Sequence, residues 1–184
     1  NPLNFEFNGA IYFWKAEAVM NQKLDTDTQV FFYEQDFYVL SNFSAFNLKM
    51  LGHTFATSEH AYHWMKFRYP AGQGWVQLEI ETAPSAHEAF KVAERHKQHR
   101  RPDWDEVKVD IMRDILRAKA DQHEYVRRKL LATGERELIE DSWRDGFWGW
   151  GENRDGKNML GKLWMEVRAE LRVGAAAGKS SIAA

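Results

Sequence analysis

The spacing of apolar residues changes several times along the chain, and each change marks an element. Val30, Phe31, Phe32 and Tyr33 form a short β-branched and aromatic run that predicts a strand. A second extended stretch is expected at Phe46 to Met50, turning at Gly52 into His53 to Ala56. Helical signals then take over. Thr57 or Ser58 is a good N-cap for a helix through Phe67, which Pro70 and Gly72 would end. Ser85 with Glu88 forms a capping box for a helix running to about Arg100, and Asp103 with Glu106 forms another after Pro102. The Asp103 helix carries Val107, Ile111, Ile115 and Ala118 at helical spacing, the pattern of one face packed on a core. A further helix over Glu124 to Ala132 stops at Gly134, Glu137 to Glu140 is a short strand, and Met159 to Leu171 is a last amphipathic helix. The result is a mostly helical α+β domain with few short strands.

The ends read differently. Phe5, Phe7, Ile11, Phe13 and Trp14 alternate imperfectly, so residues 1–30 are expected as an extension packed on or flanking the domain. Gly174 to Ala184 is rich in Ala, Gly and Ser and is expected as a flexible tail. The chain opens at Asn1 rather than Met, which suggests a trimmed sequence.

Composition narrows the function classes. The 184 residues suit one core, and the absence of cysteine removes thiol nucleophiles, disulfides and Cys-ligated metal sites together. It also fits a reducing compartment, so a cytoplasmic location is expected. The longest uninterrupted apolar run, Ala10 to Trp14, is far short of the roughly 20 residues that span a bilayer. A net charge of -2 argues against non-specific binding to long nucleic acid. Eight Trp, six Tyr and twelve Phe exceed ordinary core needs and suit a pocket for a planar ligand.

Three segments carry candidate chemistry. On a helix, Glu59, His63 and Lys66 lie at i, i+4 and i+7, so a carboxylate, an imidazole and an amine share one face. That face is either a solvated charged stripe or, walled by Tyr62, Trp64 and Phe67, a place where a desolvated lysine becomes a nucleophile. A zinc site is disfavoured: the order is Glu59-His60-x-x-His63, with the histidines three apart rather than four. The second segment, Lys91 to Arg101, holds Lys91, Arg95, Lys97, Arg100 and Arg101 with only Glu94 opposing them. It is either a solvated helix face or a grip for phosphate or diphosphate, and Trp104 beyond it either stacks on a base or fills the core. The third segment runs from Glu140 through Asp145, Trp148, Gly149 and Gly151 to Gly156, Asn158 and Gly161. It lacks the third glycine of a dinucleotide fingerprint and the carboxylates of a calcium loop. What remains is a glycine-shaped loop presenting Asp145 and Trp148, with backbone N–H groups facing an anion or, alternatively, a rigid connection.

Phe32-Tyr33, Leu40-Ser41-Asn42-Phe43, Gly52 with Phe55 and Thr57-Ser58-Glu59-His60-Ala61-Tyr62, Lys66-Phe67, Trp104 with Val107-Lys108, Asp145 with Trp148-Gly149, and Gly156, Asn158, Leu160-Gly161 with Val167-Arg168 together resemble the NADAR (YbiA-like) superfamily. The likeness covers about residues 31–172. It implies cleavage of an N-glycosidic bond to ribose. The best-fitting substrate is an ADP-ribosylated guanine, free or in nucleic acid; the alternative is a ribosylamino-pyrimidine phosphate of riboflavin synthesis. Glu59, Trp104, Asp145 and Trp148 match family residues of catalysis or the pocket, and Lys66 matches a lysine proposed to form a Schiff base with opened ribose. Glu59 and Asp145 would divide acid and base roles, Trp148 and Trp104 would sandwich a base, and Ser41 and Asn42 would hold ribose hydroxyls or phosphate. His63, Gly149 and Asn158 complete the expected site. No metal or redox cofactor is called for. A reader module that binds ADP-ribose without cleaving it is the alternative from another class; it would not need Glu59, Lys66 and Asp145 together.

Overall fold

A computed structural model describes residues 25–33, 38–68 and 73–180, with the backbone alone over 175–180. The expectations for residues 1–24 lie outside the described residues. Among the described residues four short strands occur, β1 (Gln29–Phe32), β2 (Leu48–Met50), β3 (His53–Phe55) and β4 (Glu137–Glu140). Six helices accompany them: α1 (Ser58–Met65), α2 (Gly74–Glu81), α3 (Ala86–Arg95), α4 (Trp104–Gln122), α5 (Glu124–Ala132) and α6 (Met159–Ser180). The fold is α+β, as the hydrophobic pattern implies.

β1 and β4 pair in parallel, Val30 opposite Leu138 and Phe32 opposite Glu140. Period-two alternation puts Leu138 and Glu140 on the same face, and Leu138 belongs to the core. A carboxyl therefore shares the apolar face of the strand. β2 and β3 form a hairpin through Leu51 and Gly52, whose φ angles of 54° and 83° are both left-handed. That geometry suits Asn-Gly, whereas a leucine there is strained. Leu51 is 50% exposed and has little packing to lose. Leu51→Asn is expected to stabilise the fold by about 1 kcal/mol, read as a rise in Tm of a few degrees.

α1 is buried on every side, packed against α2, α3 and α4. Its N-cap is Thr57, whose Oγ1 accepts the His60 N–H at 3.3 Å. The solvated-stripe alternative for this helix is thereby overturned: Glu59 is 9% and His63 2% exposed. α2 has no clear signal in the sequence. It has no side-chain cap, and only Val76 and Ile80, at i and i+4, reach the core. α3 starts at the Ser85 cap as expected but ends at Arg95, and Lys97–His99 form a separate 3-10 turn. α6 runs on past Leu171 as helix to Ser180, in keeping with the high helix propensity of alanine. No helix among the described residues is long and apolar enough to cross a membrane.

Candidate active site

The site grows from α1. At its start, the Glu59 N–H donates to the Asn42 carbonyl at 3.0 Å, fixing the Ser41–Ser44 strap over the helix. One turn later His63 Nε2 donates to Glu59 Oε1 at 2.6 Å. Burial drives the imidazole below its ordinary range, partly opposed by Glu59. A neutral His63 then leaves Nδ1 as a buried acceptor without a partner. Lys66 closes the same face. Its Nζ lies 5.1 Å from the centre of the Tyr62 ring and 5.7 Å from that of Trp104. Burial holds the amine below its usual range, and Glu59 is the largest charge opposing that shift. A carboxylate, an imidazole and a depressed lysine are thus brought together as their spacing indicates.

Aromatic rings form the wall. Tyr62 stands at its centre, 4.9 Å from Trp104 and 5.5 Å from Trp148 in an edge-to-face contact. The Trp148 indole N–H donates to the Tyr62 hydroxyl at 3.2 Å, and burial pushes the phenol further up. Trp104 is only 2% exposed, so it backs Tyr62 from inside the core and offers no open face to a ligand. Trp148 stays half-buried.

The loop after β4 is rigid. Asp145 Oδ1 accepts the Phe147 and Trp148 N–H groups, both at 2.8 Å, which leaves Oδ2 for other work. The N–H groups of Gly156, Lys157, Asn158, Met159 and Leu160 all donate to loop carbonyls from Phe147 to Trp150 and at Gly146. They are not free for an anion, so of the two readings of this loop the rigid connection is the one these bonds support. Asn158 is structural in the same sense. Its Oδ1 accepts the Glu140 N–H at 3.0 Å and its Nδ2 donates to the Leu138 carbonyl at 2.8 Å, so its amide clamps β4. Gly149 is a close-approach residue: a Cβ there would lie 2.9 Å from the Glu140 carbonyl oxygen. Among the strap residues, the Ser41 side chain caps its own turn by accepting the Phe43 N–H. Asn42 donates to Met112 Sδ and keeps Oδ1 buried and unpartnered.

The basic run is largely neutralised in space. Lys91 pairs with Glu88, Arg95 with Glu79, Arg100 with Asp105 and Arg101 with Asp103. What survives near the site is a cavity of about 200 Å³ lined by Lys66, Phe67, Ala93, Glu94, Lys97 and Arg100. A larger groove of about 650 Å³ lies elsewhere, between α4 and α6, bordered by Ala118, Val167 and Leu171 and by none of the residues above. His60 faces away from Glu59. Its nitrogens hydrogen-bond Thr57 Oγ1 and the Ala83 carbonyl.

The match to known proteins follows the same boundaries. The family model of the NADAR domain covers residues 30–172. The chain belongs to the NADAR domain family. N-glycosidase YbiA of Shigella boydii is 35% identical over 159 residues, 86% of this chain and 97% of that protein. Riboflavin biosynthesis protein VVA0006 of Vibrio vulnificus is 37% identical over 145 residues, 78% of this chain and 38% of that protein. The NMR structure of Escherichia coli YbiA superposes with a TM-score of 0.73 at 35% identity, covering 85% of this chain and 92% of that one.

Two buried ionisable residues of this NADAR domain do not stand out in the sequence. Lys119 is fully buried, its Nζ donating to the Ser41 carbonyl at 2.9 Å and to Ser44 Oγ at 2.6 Å, so it anchors the strap. Its one sequence signal is a place on the apolar stripe of Met112, Ile115 and Leu116. Burial pushes the amine from 10.5 down to about 7. Between those values the unfolded lysine binds more proton than the folded one, so this residue makes stability rise with pH across the window. Lys119→Met is expected to flatten that rise, as measured by urea unfolding from neutral pH upward. Glu140, the last residue of β4, is the second; its inward register beside Leu138 is the legible sign.

Proposed function

We propose that this NADAR domain hydrolyses the N-glycosidic bond of a phosphorylated ribosylamine. The observation that carries the reading is the buried Glu59–His63 pair beside the half-buried Lys66, under the Tyr62–Trp148 wall. Breaking a C1–N bond sends its electron pair to nitrogen and leaves positive charge on the sugar, which a nearby carboxylate stabilises. Asp145 Oδ2 serves that purpose. Glu59 takes the proton of the attacking group, which is water or the neutral Lys66 amine. In the second route the amine bonds to C1, the ring opens to an imine, and water releases the sugar. His63 orients Glu59 by its hydrogen bond. Trp148 supplies a face for the departing base.

The substrates differ beyond the ribose. Four of the five cations in the basic run have acidic partners, and the cavity of about 200 Å³ at Lys66, Lys97 and Arg100 is too small for a dinucleotide. That favours a ribosylamino-pyrimidine phosphate, as do the names of the relatives. ADP-ribosyl-guanine is the second reading, supported by the purine-sized aromatic face of Trp148. The test is mass spectrometry of both substrates incubated with the protein. Ribose phosphate release with little free ADP-ribose is expected; the reverse would move the guanine substrate to first place, and binding of ADP-ribose with no cleavage of either would leave a reader module.

A further inference from the structure

Four side-chain polar atoms around α1 and β4 are sealed from solvent without a partner: Asn42 Oδ1, Ser58 Oγ, His63 Nδ1 and Glu140 Oε2. Buried polar groups in folded proteins are nearly always satisfied, so each exception calls for a physical reason. Glu140 is the unusual member because it carries a carboxyl at 7% exposure. Its position is fixed from every side. Asn158 Oδ1 holds its N–H, the Trp150 N–H donates to its carbonyl, and Gly149 packs on that carbonyl, so the Asp145–Trp148 loop folds back over the strand end.

The groups acting on this carboxyl come from α1, α4 and the loop after β4. Glu59 on α1, Asp145 in the loop and Asp141 next in the chain repel its charge, and Lys119 on α4 alone attracts it. Burial comes first, and with these neighbours it holds Glu140 well above the usual carboxylate range. Glu59 is engaged with His63 and Asp145 with two backbone N–H groups, whereas Glu140 Oε2 has no engagement at all.

We infer that Glu140 is the general acid of the reaction, the carboxyl at the end of β4 that gives its proton to the departing nitrogen. The inference rests on the N-glycosidase reading. As C1–N breaks, the electron pair goes to nitrogen and the Glu140 proton follows it. Water bonds to C1 and loses a proton to Glu59. The cycle closes when the proton held by Glu59 passes back to Glu140, two acids close enough to feel each other's charge. The three carboxyls thus divide the chemistry, with Glu59 accepting a proton, Asp145 stabilising charge and Glu140 donating a proton.

The test compares two substrates sharing one ribose phosphate, with an aminopyrimidine or with 4-nitrophenolate as leaving group. Nitrophenolate departs without a proton. Glu140→Gln is expected to lose about 10²–10³-fold in kcat/KM on the aminopyrimidine substrate and to remain within a few-fold of wild type on the nitrophenyl one. The alkaline limb of the wild-type pH profile should vanish in the variant. Equal losses on both substrates, with that limb retained, would reduce Glu140 to a structural role and overturn the inference while leaving the N-glycosidase reading intact. Wild type inert toward both substrates would instead sink the parent reading, and this one with it. An activity-independent check is the carboxyl carbon-13 shift of Glu140 in labelled wild-type protein: it should report a protonated group through neutrality, and an ionised one would overturn the assignment.

Discussion

Glu59→Gln is expected to lower kcat by about 10²–10⁴-fold, roughly 3–5 kcal/mol of transition-state stabilisation, with ligand affinity within a few-fold of wild type. The substitution keeps the shape of the side chain and its oxygen toward His63 Nε2, so the 2.6 Å hydrogen bond has an acceptor still. Only the charge and the basicity go. Folding should not suffer, because the side chain keeps its volume and its hydrogen bond. Calorimetric titration with ribose 5-phosphate and ADP-ribose, alongside turnover, separates the two roles. Retained binding with lost turnover fits a catalytic base; unchanged turnover would remove Glu59 from the mechanism; lost binding would make it a substrate anchor.

The sequence made the frame legible where local chemistry is strong. Thr57 and Ser85 cap helices because a hydroxyl oxygen answers an orphan N–H, and both do so at the expected places. The face of Glu59, His63 and Lys66 follows from helical periodicity alone. What the sequence hid depends on long-range placement. The basic run reads as unopposed because Glu79 and Asp105 lie outside it, yet the fold sets them against Arg95 and Arg100. Asn158 reads as a ligand residue, but a left-handed φ of 49° and two backbone hydrogen bonds make it a clamp. Trp104 reads as either a stacking surface or a core residue, and at 2% exposure against Tyr62 it is core. Glu140 and Lys119 were visible in principle, as ionisable residues on apolar faces of a strand and a helix.

Lys66→Met is expected to remove turnover by about 10³-fold if the amine forms the imine, and chemical trapping decides whether it does. Cyanoborohydride delivers hydride to a C=N bond, converting a transient imine into a stable secondary amine. Wild type incubated with substrate and this reagent should lose activity, and the tryptic peptide bearing Lys66 should gain the mass of the reduced sugar fragment. No adduct, with Lys66→Arg within a few-fold of wild type, would assign the attack to water and leave Lys66 as a phosphate contact beside Lys97 and Arg100. The pH dependence has a definite sign. Attack needs the neutral amine and burial lowers the Lys66 value below 10.5, so Lys66 sets a limb on which the rate climbs with pH below the ordinary lysine range, under the alkaline fall that Glu140 imposes. The ring faces of Tyr62 and Trp104 accept an ammonium and limit that shift. Glu59 is the largest charge that favours the ammonium, so Glu59→Gln should move Lys66 titration further down, measured by the pH dependence of reductive methylation at that residue. A rise instead would mean that Glu59 does not act on Lys66, and the paired roles on α1 would come apart.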